Sequence, residues 1–347
     1  MKTKDDFLNF YHASYRNYLF KLYHNEIHEY QKKLIKIVIK EFLMVIFLLF
    51  ILFVWYMKYW DFSFLLVIFF LISFLALTVI NIKYLFDMAS DTKYEINYLI
   101  YKDLLGFISN NDYYECRNNQ LSKEDFSRMN LFNLSILNYQ GDNFAASSYL
   151  GKRFLFCDTT LYDLVERIKT DHYYDERSHI EYITDYHYHD KIDIFKGLYY
   201  ETTINRDNNE YIYLIPNNIK DKFIRNNIDY YISYKGVKVE LENLDFSEKY
   251  SVYSLDETKS RYVLSLTFME KINLLDNFIS NKKYLVFMPN GRVSIFIENL
   301  MIEDFFHQKF SLRQKELSQK YVVNYFEKVL KLFQISDILE DVNTFGK

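Results

Sequence analysis

The chain has 347 residues, half of them apolar and one fifth aromatic, with 42 basic against 46 acidic side chains and only 7 Gly, 2 Pro and 2 Cys. So little Gly and Pro leaves few flexible tracts, and the two cysteines, Cys116 and Cys157, fit reduced thiols rather than a disulfide framework. Residues 1–82 carry nine Lys/Arg against six Asp/Glu, so the remainder is acidic, at net −7, which argues for no nucleic acid partner because that affinity comes mainly from neutralised phosphates.

The first predicted element is a long helix over Asp5–Glu41, with Phe20, Tyr23, Ile27, Tyr30, Leu34 and Val38 at three- and four-residue spacing on one face. Lys32, Lys36 and Lys40 form a second stripe, suited to anionic headgroups at a membrane interface or to a merely solvated face. Then come two apolar runs, Phe42–Met57 and Phe62–Ile82, separated only by Lys58, Tyr59, Trp60 and Asp61. As helices they reach roughly 24 and 31 Å, against a bilayer core of about 30 Å. Their length and lack of charge favour a transmembrane hairpin over a buried hairpin in a soluble core. Trp55 and Trp60, with Tyr56 and Tyr59, are placed as an interfacial aromatic belt at the tip.

The flanking lysines set the expected orientation. Lys32, Lys33, Lys36 and Lys40 precede the first run and Lys83, Lys93 and Lys102 follow the second, whereas the connecting turn has only Lys58. That bias puts both termini in the cytoplasm of a multi-pass protein and leaves a turn too short to serve as a receptor ectodomain. The runs hold Ser63, Ser73, Thr78 and Asn81 but no ionisable residue, Gly or Pro, a pattern that argues for an anchor and against a pump or carrier. No Gly-x-x-x-Gly seam supports tight pairing of the spans.

Tyr84–Ile108 is again helical in pattern and is expected to run beside the first helix as a stalk. The organisation read from the chain is therefore a cytoplasmic helix over 1–41, a transmembrane hairpin over 42–82, a stalk helix over 83–110 and a cytoplasmic α+β domain over 111–347. In that domain Gly151–Asp158 reads as a strand followed by a polar stretch. Ile192–Ile204 and Tyr211–Ile215 read as a hairpin around Asn205–Asn209, and Lys235–Leu241 as a further strand. Ser254/Glu257 and Thr267/Glu270 have capping-box spacing, the second opening a helix with Phe268, Ile272, Leu275 and Ile279 on one face. Tyr284–Met288 and Val293–Ile297 flank Pro289-Asn290-Gly291 as a second hairpin, and a last amphipathic helix carries Val322, Phe326, Val329 and Phe333. Hairpins with segregated helices point to an antiparallel α+β sheet domain with packed helices.

Signatures of chemistry are sparse. There is no phosphate loop, dinucleotide fingerprint, Cys-x-x-Cys pair or nucleophile elbow. His24 and His28 stand four apart on a helix, but the position a zincin would fill with Glu is Asn25. The densest polar cluster is His172, Asp175, Glu176, His179, Glu181, Asp185, His187, His189 and Asp190. If 183–190 is extended, Asp185, His187 and His189 share one face, the best metal candidates in the chain; the plainer reading is a solvated acidic connection without metal. Asp142, Asp158 and Asp256 read as turn and helix caps.

Tyr139-Gln140-Gly141-Asp142 with the strand from Gly151 to Asp158, Phe195-Lys196-Gly197-Leu198-Tyr199, Tyr253-Ser254-Leu255-Asp256, Arg261-Tyr262-Val263-Leu264 and Phe268-Met269 resemble the recurring features of domain-of-unknown-function family 3137, uncharacterised bacterial two-span membrane proteins. The chain departs from that pattern at Asn143 and Leu255, where the family has an acid, and at Phe268, where it has a proline. The resemblance implies a bacterial inner-membrane location and the company of LemA-type membrane proteins as partners, and it implies no reaction, cofactor or catalytic residue. The expected function is a membrane-anchored cytoplasmic binding module, an envelope-associated adaptor or sensor contacting the lipid bilayer. A membrane-tethered metal-dependent hydrolase using His187 and His189, or a structural membrane-organising protein, are the alternatives.

Overall fold

The computed structural model describes residues 2–58, 64–110, 112–116, 121–129, 131–132, 137–149, 152–175, 180–204, 209–219, 232, 236–306, 310–312 and 314–340. Two units divide the chain: Met1–Leu104 with Phe305–Val329, and Leu105–Asp304 with Leu330–Lys347.

The first unit is helical. Thr3 opens helix α1 (Lys4–Phe10) in a capping box, its hydroxyl accepting from the Asp6 amide while the Asp6 carboxylate accepts from the Thr3 amide. A π-helical turn, Tyr11–Tyr15, leads into α2 (Arg16–Lys58), and α3 (Phe64–Ser109) follows. The buried stripe is Phe7, Tyr11, Tyr15, Leu19, Tyr23 and Ile27, whereas Phe20 and Val38, placed on that face by spacing alone, are exposed. A strict four-residue step overshoots a 3.6-residue turn by about 40°, and the wider π turn sets that drift back. The C-terminal stretch of this unit packs along the stripe: Phe326 stacks on Phe7 at 4.3 Å, and the Tyr23 hydroxyl donates to the Ser311 and Gln314 carbonyls. Fully buried Asn97 ties the parts together. Its amide donates to the Phe306 carbonyl at 2.7 Å, its side-chain oxygen accepts from Tyr321, and its backbone carbonyl accepts from Tyr325 at 3.1 Å.

The second unit is an antiparallel sheet of nine strands among the described residues, in the order β1-β2-β3-β4-β9-β8-β5-β7-β6. They are β1 (Tyr113–Cys116), β2 (Asn138–Tyr149), β3 (Lys152–Asp175), β4 (Ile180–Thr203), β5 (Ile212–Pro216), β6 (Val237–Val239), β7 (Tyr250–Ser254), β8 (Lys283–Met288) and β9 (Arg292–Glu298). The helices are α4 (Lys123–Ser127), α5 (Leu244–Lys249), α6 (Glu257–Val263), α7 (Leu266–Phe278), α8 (Glu303–Phe306) and α9 (Gln319–Glu340), α8 and α9 each containing residues of the first unit as well. One sheet face packs Tyr199 and Phe296 against Phe126. The other packs Phe154 against Phe333 of α9 and Phe287 against Phe268 of α7. Gly197 sits where β4 and β9 approach closely: a Cβ there would lie 2.0 Å from the Ile297 carbonyl oxygen.

Several predicted elements change. The stretch after Asp158 is not a polar connection, since β3 continues to Asp175 and pairs with β4 over its outer half. Ile192–Ile204 and Tyr211–Ile215 do not form a hairpin: β4 pairs with β3 and β9, and β5 with β7 and β8. Non-local partners decided both, because alternation along a strand does not say which strand lies beside it. The strand over Lys235–Leu241 is the short β6. Neither capping box forms. Asp256 caps α6, accepting from the Lys259 amide at 3.0 Å, and α7 starts after Ser265 without a side-chain cap. The Pro289–Gly291 hairpin is present, with Asn290 at φ 69°, a conformation Asn tolerates. The buried faces of α7 and α9 hold the expected Phe268, Ile272, Leu275, Val322, Phe326, Val329 and Phe333.

Replacing Asn97 with Ala removes its side-chain bonds from the buried Phe306 carbonyl and the half-buried Tyr321 hydroxyl. Unfolding of the detergent-solubilised chain should show a loss of about 2–3 kcal/mol; a change within about 0.5 kcal/mol would mean that the buried amide is not a structural tie.

Candidate functional site

Four features of the described residues could carry function: an apolar belt, a polar ribbon, a cleft and a buried carboxylate.

The belt lies on α2 and α3. Phe42, Leu43, Phe47, Phe50 and Phe53 on α2, and Ile72, Leu75, Val79, Ile80 and Phe86 on α3, are all exposed. The segment Ile72–Ser109 is long and apolar enough to cross a membrane, and almost none of its most apolar stretch is buried. At one end of the belt Glu41 accepts hydrogen bonds from Thr78 and Asn81, so the two helices run antiparallel there, joined by a polar clasp. Lys32, Lys36 and Lys40 are exposed on α2, Lys32 pairing with Glu29 at 2.7 Å. Trp60 lies outside the described residues, as does the Trp55 side chain.

The predicted metal candidates stand on the outer part of β4. Asp185, His187 and His189 share one face of the β3–β4 ribbon, as extended geometry requires, and all three are exposed. His187 Nδ1 lies 2.9 Å from Glu166 Oε1, and Asp185 accepts from the Thr170 hydroxyl at 2.7 Å. Among the described residues no three His, Cys, Asp or Glu side chains are grouped to hold a metal. Glu176, His179 and the side chains of His172, Asp175 and Glu181 lie outside the description.

Sequence reasoning missed a cleft of 320 Å³, lined by Pro216, Asn218, Glu248, Lys249, Tyr250, Asp276 and Ser280–Lys283. Its floor is a buried lysine. The Lys283 side chain, 2% exposed, donates to Asp276 Oδ1 at 3.0 Å, to the Ile279 carbonyl at 2.5 Å and to the Asn281 carbonyl at 2.8 Å. Tyr250 also donates to Asp276, at 2.7 Å. Burial lowers the Lys283 pKa, with the Asp276 carboxylate opposing it, while burial and the same carboxylate raise that of Tyr250. An ammonium has three donors, and all three are spent on α7 and the turn that follows it. Lys283 is therefore a strut closing the C-terminal end of α7 onto β8, and a nucleophilic or proton-shuttling lysine would need a free position. The four-residue spacing of Ile279 and Lys283 is visible in the sequence, but nothing there marks this lysine among the many.

Asp158 is the second buried charge. Asn143, held at φ 52° in the bulge of β2, donates to it at 2.8 Å, and the Ile302 and Glu303 amides at the start of α8 donate at 2.5 and 2.8 Å. The capping role expected for Asp158 holds, with the difference that it sits within a strand and caps a helix 144 residues away. Burial outweighs the three donors and pushes its carboxyl up to about 7. Neighbouring Cys157 is fully buried and its thiol is pushed up to about 12, which makes it unreactive.

Residues 193–343 match the model of a family described as a protein of unknown function (DUF3137). The resemblance carried by Phe195–Tyr199, Tyr253–Asp256, Arg261–Leu264 and Phe268–Met269 falls within that stretch, whereas Tyr139–Asp142 and Gly151–Asp158 precede it. No curated protein and no solved structure matches the chain.

Two outcomes test the buried groups. Because the Asp158 pKa in the folded state lies above the usual carboxylate value near 4, its contribution is complete below that value and disappears as pH rises through about 7. The melting temperature should therefore fall between pH 5 and pH 8, and Asp158→Asn should flatten that fall; an unchanged slope in the variant would assign it elsewhere. Lys283→Met removes three donors from buried acceptors and should cost about 2–4 kcal/mol in urea unfolding. A loss below about 0.5 kcal/mol would show that Lys283 is not a strut.

Proposed function

We propose that this chain is a membrane-anchored binding module of a bacterial inner membrane, in which α2 and α3 cross the bilayer as a hairpin and the sheet unit faces the cytosol. One observation carries it: the exposed apolar belt on both helices, a surface that water disfavours and lipid accepts. The lysines flanking the apolar runs, and their near absence from the short turn, support cytoplasmic termini. Binding rather than catalysis is supported by the cleft, whose buried lysine has every donor engaged. The cleft offers Glu248, Lys249 and Lys282 to a polar partner group. A LemA-type membrane protein is the partner proposed from the family resemblance.

Cysteine labelling tests the topology in a Cys116→Ser background, with Cys157 silent because it is buried. Tyr262, 74% exposed on the sheet unit, is replaced by Cys in one variant and Tyr59 in another. In intact spheroplasts a membrane-impermeant maleimide should label Tyr59→Cys and reach Tyr262→Cys only after the membrane is opened. Labelling of Tyr262→Cys from outside would invert the proposal, and release of the full chain by alkaline carbonate would remove the anchor from it.

A further inference from the structure

Beyond the main sheet the β3–β4 ladder continues as a two-stranded ribbon. β9 accompanies β4 only from Gly197 onward, and β2 accompanies β3 only as far as Tyr162. Over Asp185–Lys191 the backbone of β4 therefore pairs only with β3 among the described residues, and its other edge is open. An open edge is a template for another strand. It is also unprotected here: the stretch has no Pro, and its one Lys, Lys191, comes at the end of Asp-Tyr-His-Tyr-His-Asp-Lys.

We propose that this edge is a self-association surface, on which β4 of a second copy of this chain pairs antiparallel in a register centred on Tyr188. The sequence places a histidine on either side of that residue, His187 and His189, with Tyr186 and Asp185 before them and Asp190 and Lys191 after them. A two-fold axis through Tyr188 sets Asp185 opposite the second copy's Lys191, Tyr186 opposite its Asp190 and His187 opposite its His189. Every pair then joins side chains on the same ribbon face, as a two-fold perpendicular to the sheet demands. Each carboxylate meets a cation or a phenol, and each of those two pairs occurs twice. Neighbouring registers are worse. Centring on His189 opposes Asp185 to Asp193 and His187 to Lys191, centring on Asp190 opposes two aspartates, and centring on His187 sets Asp185 opposite His189 but leaves Lys191 opposite Ile183.

The groups are available for it. Asp185 through His189 are exposed, Tyr186 at 54% and Tyr188 at 43%. Lys191 is 3.8 Å from Asp193 and lies over the Tyr162 ring at 4.1 Å, contacts that leave its ammonium at the ribbon surface. Asp190 accepts from Arg167 at 2.6 Å and keeps lone pairs for a tyrosine hydroxyl. The second edge of the ribbon, on β3, fits a copy of itself less well. Its best register, centred on Val165, sets Asp163 opposite Arg167 but also the apolar Leu164 opposite the charged Glu166.

The test uses the full chain carrying Cys116→Ser, in detergent micelles, so that buried Cys157 is the one native thiol left. Tyr188→Cys places a thiol about 5 Å, Cβ to Cβ, from its own copy across the axis, and mild oxidation should convert it to a disulfide-linked dimer. Lys169→Cys, on the β3 strand, should not link. Lys191→Asp sets like charges opposite each other twice and should weaken the dimer about tenfold. The double variant Asp185→Lys/Lys191→Asp restores opposite charges and should recover it. A chain that stays monomeric, linking at Lys169→Cys as fast as at Tyr188→Cys, or a double variant no tighter than the single one, would each overturn the proposal. Self-association through β4 concerns the sheet unit alone, so it stands or falls separately from the membrane anchor.

Discussion

The ladder between β3 and β4 organises the sheet unit. Their inner halves are flanked by β2 and β9, so they receive the neighbours that bury Phe154, Phe156, Tyr199 and Tyr200, while their outer halves have no flanking strand among the described residues and bear mostly polar and charged side chains. One pair of strands thus serves as both core and protruding arm, and the change comes where the flanking strands stop. A bulge between Leu161 and Tyr162 marks the transition and alters the twist of the ribbon. The exposed histidines that the sequence offers as metal candidates belong to this outer half, where neighbouring side chains engage His187 and Asp185.

Buried polar groups perform the long-range joining in both units. Asn97 joins α3 to the Phe306 carbonyl and to Tyr321, Asp158 joins β3 to the start of α8, and Lys283 joins β8 to the end of α7. In each case the donors or acceptors are matched, and this is the condition under which a polar group can be buried without a large penalty. Each site also includes a backbone amide or carbonyl at a helix end or loop. The side chains therefore complete the backbone hydrogen bonding that secondary structure leaves undone. The same logic separates a structural lysine from a reactive one: what matters is how many of its hydrogens are committed.

The apolar belt obeys the complementary rule. Most of the large apolar side chains described in the sheet unit are buried against the sheet or beneath its helices, whereas those of the belt are exposed on both α2 and α3. The polar clasp of Glu41 with Asn81 and Thr78 stands where the belt begins, so the change from polar to apolar side chains falls at the same level on both helices.

Sequence alone sufficed for the features that depend on local pattern. It marked the long apolar helices, the hairpin at Pro289–Gly291, the buried faces of α7 and α9, the antiparallel α+β class and the family resemblance over the C-terminal half. Hydrophobic period, turn chemistry and run length are set by residues a few positions apart, and so they can be read directly. Tertiary structure decided the partners. It made β4 the neighbour of β9 rather than β5, extended β3 through charged residues with little apolar pattern, grouped Phe305–Val329 with the N-terminal helices, and assembled the cleft from β5, α5, α7 and β8. It also selected Lys283 and Asp158 from among the chain's many charges, because burial and a matching set of carbonyls or amides come from segments far apart in sequence, and no local pattern encodes their meeting.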